Sequence, residues 1–252
     1  MARTRVPRVR DCLRFCFNVA EAQCTNYSLK KAEGGRKVNL ASLAFFNVER
    51  AFGDMGWLSV ITYDACTCLD LVRQFYCNLQ VVGDYNDVER GGELRITSYV
   101  KGVDVSFDYR QLADLLGISY AGPLVFCAPG EPQFFSLQMR AEIDSQLIRP
   151  DRWQMKASYL RSYPRVYCKI IQHNLIPQSG HYERVSQLTQ YLLYCICTRQ
   201  PVCLPYIIMP TMISATLPTY TGNLPYGRMI TTLLTRLGVD LLDEKIQEKS
   251  FS

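Results

Sequence analysis

The chain has 252 residues, of which 48% are hydrophobic and 20% charged, with 15 glycines and 12 prolines. This composition excludes a disordered chain, a collagen-like repeat and a low-complexity segment. The length suffices for one large domain or two small ones with a buried core. The formal net charge is +5, and it is uneven: residues 1–37 carry nine basic and three acidic side chains, whereas the remainder is nearly neutral.

The first 37 residues are predicted to form a basic, disordered arm that closes at Gly34-Gly35. Clustered arginines suit contact with nucleic-acid phosphates, because they displace condensed counterions. The alternative is a solvated terminus whose charge only aids solubility. The candidate nucleic-acid-binding residues of the arm are Arg3, Arg5, Arg8 and Arg10.

Two kinds of periodicity follow the arm. Apolar residues at helical spacing predict short helices over Ser42–Phe52 and about Asp70–Gln80. Strict alternation over Leu94–Val100 and again over Val103–Phe107, with Lys101-Gly102 between them, predicts a β-hairpin with a two-residue turn.

The remaining pattern is helical. Asp108 is an expected N-cap for a helix that stops at Gly117, and the Gly- and Pro-rich residues 117–135 are expected to form a surface connection. Further helices are predicted over Ser136–Ile148, Ser162–Asn174, Glu183–Thr198, Pro205–Leu217 and Pro225–Leu237. The sequence therefore predicts a mainly α fold with a small β-hairpin (α+β) and a helical bundle as its second half.

The predicted domain covers 38–241, with sub-halves at about 38–120 and 136–241 and a polar tail at 242–252. Eleven cysteines, an odd number, lie mostly in apolar runs without a preceding signal peptide, which favours a reduced intracellular compartment. The uncharged run from Gln200 to Gly227 is broken by five prolines. Buried helices explain that run better than a membrane span.

Residues that could carry enzyme chemistry are present without a recognisable arrangement. Cys195 and Cys197 would lie about 200° apart around a helix and could not share one zinc ion, and Cys66 with Cys68 is no better spaced. His173 and His181 lie in no nucleophile motif, and no Gly-rich phosphate loop occurs. We therefore predict no catalytic residue, no metal and no cofactor.

The alternative to this prediction is a metal-dependent nuclease or integrase-like enzyme. Such an enzyme needs carboxylates that converge on divalent cations. The acidic residues of this chain are scattered, apart from a cluster near the C-terminus at Asp240, Asp243 and Glu244.

A basic and aromatic stripe is the strongest candidate site. From Ser145 to Arg199 there are eight basic residues against Asp151 and Glu183. Within this stretch Arg161, Arg165 and Lys169 recur every four residues, and so do Tyr159, Tyr163 and Tyr167. If the whole stretch were helical, the two sets would form adjacent stripes suited to phosphate contact and base stacking. The alternative is an amphipathic helix with solvated arginines and half-buried tyrosines.

Four ordered blocks of sequence resemble a known family. They are Leu71-Val-Arg-Gln-Phe-Tyr-Cys-Asn-Leu79; Ser98-Tyr-Val-Lys-Gly-Val103 with Leu115-Leu-Gly-Ile118; Ile171-Ile-Gln-His-Asn-Leu-Ile-Pro177 with Leu204-Pro205; and Leu224-Pro-Tyr-Gly227 with Leu237-Gly-Val239. Together they resemble the "putative plant transposon protein" domain of Athila-like retroelements over about Leu43 to Leu241. The hairpin-then-helix block is also similar to the plant mobile domain. The resemblance implies no catalytic residues.

The function expected from these observations is that of a non-enzymatic domain of plant retrotransposon origin. It would bind nucleic acid, through the arm and through Arg161, Arg165 and Lys169, or mediate protein assembly by self-association. An interaction module like the plant mobile domain, or an element fragment without selected activity, is the further alternative. No membrane partner is expected, and the nucleus is favoured over the cytoplasm.

Overall fold

The computed structural model of the chain describes residues 27, 30–62, 65–83, 93–125, 137–148, 155–178, 180–242 and 246–247, with 137–140 and 246–247 described by their backbone alone. The α-helices of this part are α1 (Val48–Asp54), α2 (Leu58–Ile61), α3 (Leu69–Cys77), α4 (Tyr109–Leu116), α5 (Leu137–Leu147), α6 (Ser162–Ile170), α7 (Gln187–Thr198), α8 (Leu204–Ser214) and α9 (Gly227–Arg236). The strands are β1 (Thr67–Cys68), β2 (Gln80–Val82), β3 (Arg95–Val100), β4 (Val103–Asp108) and β5 (Ile246–Gln247).

The predicted fold class is confirmed, since helices dominate and the larger sheet holds three antiparallel strands in the order β2-β3-β4. The predicted hairpin is the pair β3 and β4, in which Val100 lies opposite Val103. Lys101 and Gly102 join them with φ values of 47° and 85°. Two positive φ angles in a two-residue loop match the twist of the flanking strands, which is why a glycine stands there. The strand β2, which extends the hairpin, lies partly within the predicted helix over Asp70–Gln80.

The helix predicted over Ser42–Phe52 is interrupted. A 3₁₀ turn covers Ala41–Phe46, and α1 begins only at Val48. Between them Asn47 adopts a left-handed conformation with φ 51°, which no continuous right-handed helix accommodates. Asparagine tolerates this conformation better than most residues, so the break is local and stable.

The helix predicted over Ser162–Asn174 changes its hydrogen bonding partway. The α-helix α6 ends at Ile170, and a π-helical turn covers Ile171–Leu175. The next predicted helix starts later than Glu183, because Ser186 is its N-cap: its hydroxyl accepts a hydrogen bond from the backbone N–H of Thr189.

The apolar run after Gln200 forms α8, whose residues from Leu204 to Met209 are buried. Pro210 lies inside this helix. Within the described residues no helix has both the length and the apolar character needed to cross a membrane.

The chain divides into two compact units. Unit 1 comprises Met1–Gly34, Ala65–Asp108 and Ala215–Ser252, and unit 2 comprises Gly35–Asp64 and Tyr109–Ser214. The bounds of these units differ from the predicted halves 38–120 and 136–241, because each unit takes segments from both halves.

The core of unit 1 is α3 packed against β3 and α9. The rings of Phe75 and Phe107 are nearly parallel, with centroids 6.4 Å apart, and the Tyr76 hydroxyl donates to the Pro225 carbonyl at 3.0 Å. The described end of the predicted arm is held in this unit. The backbone N–H of Glu33 donates to the Leu224 carbonyl at 2.7 Å, and the Lys30 Nζ donates to the Tyr220 carbonyl at 2.8 Å.

Unit 2 is the helical unit. Its helices pack in the pairs α5 with α7, α6 with α7, and α4 with α8. The Tyr109 ring meets the Tyr206 ring edge-on at 5.7 Å, and the Tyr194 hydroxyl donates to the Glu142 carboxylate at 2.9 Å. The fully buried ring of Phe52 joins α1 to this core, because it meets the Tyr167 ring of α6 edge-on at 5.7 Å, and the buried Trp57 ring packs on Phe52.

Candidate nucleic-acid interface

The predicted stripe does not lie on one helix. Tyr159 belongs to a separate 3₁₀ turn, Ala157–Tyr159, and Arg161 is the extended residue that precedes α6. Helix α6 itself carries Arg165 and Lys169. The condition under which two adjacent stripes would form is therefore not met, and each side chain has its own surroundings.

Arg161 closes the end of α5. Its backbone N–H donates to the Leu147 carbonyl at 2.9 Å, its Nε to the Ile148 carbonyl at 3.0 Å and its Nη2 to the Ser145 carbonyl at 3.1 Å. The last carbonyls of a helix have no partner within the helix, so a cationic side chain there satisfies them. Arg161 is nevertheless an exposed residue, and three of its five side-chain N–H groups point elsewhere.

Arg165 is bound more deeply. Its Nη2 donates to the carbonyls of Ser158 at 2.7 Å and Leu160 at 3.1 Å, which ties α6 to the preceding turn. Its Nε is buried and has no hydrogen-bond partner among the described residues. These bonds give the guanidinium a structural role, and its assignment to nucleic acid stays a prediction.

Lys169 has the least constrained charge of the three. It is exposed in the last turn of α6, and its side chain makes no hydrogen bond or ion pair with any residue that the structure describes. A cation near a helix C-terminus is also favoured by the helix dipole.

An exposed aromatic cluster adjoins the start of α6. We call Phe45, Phe46 and Tyr163 the aromatic trio. The side chain of Phe45 is 78% exposed and that of Tyr163 39% exposed. The Phe45 and Tyr163 rings are stacked with centroids 6.3 Å apart and an angle of 26°, and Phe46 meets them edge-on at 5.3 Å and 5.8 Å.

The trio rests on a buried tyrosine. The hydroxyl of Tyr167, one turn after Tyr163 on α6, donates to the Phe46 carbonyl at 2.7 Å. The Tyr167 ring is buried and meets the Phe52 ring edge-on at 5.7 Å. Burial raises the pKa of Tyr167 to about 12, so the hydroxyl keeps its proton for this bond at neutral pH.

Phe45 was not predicted as a site residue, because Ser42–Phe52 was expected to form one continuous helix. A signal was present in the pair Phe45-Phe46, since neighbouring residues of a helix point about 100° apart and only one can face the core. Of the three tyrosines of the predicted stripe, Tyr163 contributes to the trio and Tyr167 supports it.

Arg165→Ala is expected to lower the free energy of unfolding by about 1.5–3 kcal/mol, because two carbonyls lose a charged donor. Urea denaturation followed by circular dichroism measures this change. Lys169→Ala, on the same helix but exposed, is the control and should stay within about 0.5 kcal/mol of the parent. Equal effects of the two substitutions would contradict a structural role for Arg165.

The cysteines considered as possible metal ligands or nucleophiles are mostly buried. Cys168, Cys195 and Cys203 are buried, whereas Cys197 is exposed. Burial raises the pKa of the Cys195 and Cys203 thiols to about 11, which keeps both protonated and weakly nucleophilic at neutral pH.

Within the described ranges there is no group of three His, Cys, Asp or Glu side chains that could bind a metal ion. Asp243 and Glu244 lie outside the described residues, and so do the arginines of the predicted arm, Arg3, Arg5, Arg8 and Arg10. The expectations for these six residues stay predictions.

The fold and the surface define a class: a mainly helical domain with a small antiparallel sheet and an exposed aromatic cluster at the start of a helix that carries basic side chains. A family described as "Putative plant retrotransposon-related domain" matches residues 54–240, and the chain belongs to this family. The match confirms the resemblance to a retroelement-derived plant domain, and it includes α6 but begins after Phe45 and Phe46. No curated protein and no solved structure matched the chain significantly.

Proposed function

We propose that this retrotransposon-related domain binds nucleic acid on the surface formed by α6 and the aromatic trio. The observation that carries the proposal is that exposed rings meet at the start of α6, a short helix with an exposed cation at each end. Tyr163 stands in the first turn of α6, Lys169 in the last turn, and Arg161 immediately precedes the helix. Rings and cations together are the usual means of holding bases and phosphates.

The charge of the surrounding sequence supports this proposal. Residues 149–199 carry eight basic and two acidic side chains, while the rest of the chain after residue 37 has an excess of acids. A local positive potential attracts a polyanion and speeds its association.

The hydrogen bonds of Arg161 support it in a different way. Two carbonyls fix the guanidinium, so little side-chain entropy remains to be lost when a phosphate binds. The remaining N–H groups of Arg161 would donate to phosphate oxygens, with the geometry that makes arginine the common phosphate ligand.

Lys169→Glu is expected to weaken binding of a labelled oligonucleotide and to reduce the slope of log K against log salt by about 1, the loss of one phosphate contact. Fluorescence anisotropy over about 50–300 mM salt measures both quantities. The Lys169 side chain makes no hydrogen bond or ion pair with the described residues, so this variant tests binding without the loss of the Arg161 and Arg165 bonds that Arg161→Glu with Arg165→Glu would cause.

The matched control is Arg110→Glu, which makes the same change of charge at an exposed position of α4 in the same unit. If the two variants weaken binding equally and change the salt slope equally, binding follows net charge and the α6 surface is not the site. If the parent protein binds no nucleic acid at low salt, the proposal fails.

One observation favours assembly as a second candidate function. All three residues of β2 are exposed, with Val81 at 39% and Val82 at 53%, and β2 is the end strand of its sheet. An exposed apolar edge strand offers its backbone to another strand. Sedimentation velocity over a range of protein concentrations tests self-association.

A retroelement-derived nucleic-acid binder would act in the nucleus, which stays a prediction.

A further inference from the structure

Phe45 is an unusual residue for the surface of a folded domain. Its side chain is 78% exposed, the largest exposed fraction among the large hydrophobic residues of the described chain. Phenylalanine is among the residues most often buried, because transfer of its ring out of water is favourable. A ring that stays in water, beside two other rings, is typical of a binding surface.

The ring is held in place. The Asn47 backbone N–H donates to the Ala44 carbonyl at 3.0 Å and closes the 3₁₀ turn that carries Phe45. The Tyr167 hydroxyl fixes the next residue, Phe46, through its carbonyl, and the edge of the Phe46 ring supports both stacked rings. A surface formed before binding loses little conformational entropy when a ligand arrives.

The charges around the trio select the ligand. An apolar protein partner would gain nothing from the cations of this helix, and an interface that covered them would desolvate them without a counter-charge, which is costly. Lys169 lies six residues after Tyr163, about 9 Å along the helix axis, and Arg161 lies two residues before it. Lys169 also lies about 120° around the axis from Tyr163, so the two cations mark the ends of the helix and not one face of it. Exposed rings with a cation at either end of the helix fit a ligand that combines flat apolar faces with repeated negative charge.

Single-stranded nucleic acid has this combination in an accessible form. In a duplex each base is stacked between its neighbours, and its face is not available to a protein ring. In a single strand the bases can be spread out and stacked on aromatic side chains, with little dependence on sequence.

We infer that the aromatic trio stacks unpaired bases, so that the domain prefers single-stranded RNA or DNA to duplex. The inference rests on the proposed function and deepens it, since phosphate contacts alone would hold a duplex as well. Phe45 and Tyr163 are assigned the stacking, and Lys169 and Arg161 the phosphates on either side.

The test compares oligo(dT), oligo(U) and a DNA hairpin of equal length by fluorescence anisotropy at one salt concentration. The parent protein should bind the single strands at least about tenfold more tightly than the hairpin. Phe45→Ala should weaken single-strand binding by about tenfold or more, the effect of one lost stacked base, while hairpin binding and the salt slope stay unchanged. Phe45→Trp should bind like the parent, and its new indole fluorescence should be quenched by the single strands.

Tyr120→Ala is the matched control, because Tyr120 is 49% exposed in the same unit and is assigned no ligand. Circular dichroism checks that all variants are folded. Parent-like single-strand binding by Phe45→Ala, or equal affinity for hairpin and single strand, would overturn the inference while leaving the proposed function intact. If Phe45→Ala abolishes self-association of the protein but leaves nucleic-acid binding unchanged, the inference is overturned in favour of a second copy of the chain on this surface. Absence of any binding by the parent protein would overturn the proposed function itself.

Discussion

Phe52→Ala is expected to lower the free energy of unfolding by about 3–5 kcal/mol. Phe52 is fully buried in α1, where its ring meets the Trp57 ring at 6.5 Å and the Tyr167 ring at 5.7 Å, both edge-on. Removal of the ring loses its transfer free energy and leaves a cavity among side chains that relax only in part. Urea denaturation followed by circular dichroism and by tryptophan fluorescence measures the change.

A substitution at Phe52 should also affect the aromatic trio. Tyr167 packs on Phe52 and holds the Phe46 carbonyl, so a cavity at Phe52 loosens the support of the aromatic trio. We therefore expect Phe52→Leu, which fills most of the space, to be folded but weaker in single-strand binding than the parent. Its salt slope should be unchanged, because Lys169 lies outside the cavity.

Phe45→Ala is the matched control, since it removes the same ring from an exposed position in the preceding turn. A change of less than about 0.5 kcal/mol is expected there. If Phe52→Ala cost as little as Phe45→Ala, the packing of α1 against α6 would not be the support described here.

The hairpin and the helix after it were predictable because their signals are local. Alternation over β3 and β4 places Ile96, Ser98 and Val100 on one face, and all three are buried. The turn at Lys101-Gly102 needs only its own two residues to be recognised. Helix α4 ends at Leu116, and the next residue, Gly117, has a φ of 67°, a conformation that glycine readily adopts after a helix.

The roles of the arginines were not predictable, because their partners are set by tertiary packing. Arg161 binds carbonyls 13 and 16 residues earlier in the chain, and no pattern in the sequence indicates that these carbonyls lie near it. Spacing by four residues identified Arg161, Arg165 and Lys169 as one set. In the structure Arg161 caps α5, Arg165 binds the carbonyls of the preceding turn, and Lys169 is an exposed charge. The left-handed Asn47 and the π-helical turn are likewise backbone choices that hydrophobic periodicity does not report.

The division into units had no sequence signal either. Gly- and Pro-rich composition predicted a surface connection at residues 117–135, of which 126–135 lie outside the described residues, so the connection stays a prediction. The two units divide the chain elsewhere, near Gly34, Asp64, Asp108 and Ser214. Composition marks loops on the surface, and it does not tell which segments distant in sequence pack together.

Alkaline pH is expected to destabilise unit 2 strongly. Burial, and to a smaller extent the charge of Glu183, raise the pKa of the Cys168 thiol from 9.0 to about 12, with Lys169 acting in the opposite direction. Burial likewise raises the pKa of Tyr167 from 10.0 to about 12. Both groups lie on the buried face of α6 and are neutral in the folded protein well above the pH at which they ionise in the unfolded chain.

The sign follows from linkage. Because the folded state retains protons that the unfolded state releases, stability is fully present below about pH 9 and falls as pH rises from 9 to 12. For Cys168 alone the difference between the two pKa values corresponds to about 4 kcal/mol. Urea denaturation in a reducing buffer at several values between pH 8 and pH 12 should show the midpoint falling steadily. Cys168→Ala, which removes one titrating group, should have a lower midpoint at pH 8 and a shallower decline, and a parent midpoint unchanged up to pH 11 would show that α6 does not bury these groups.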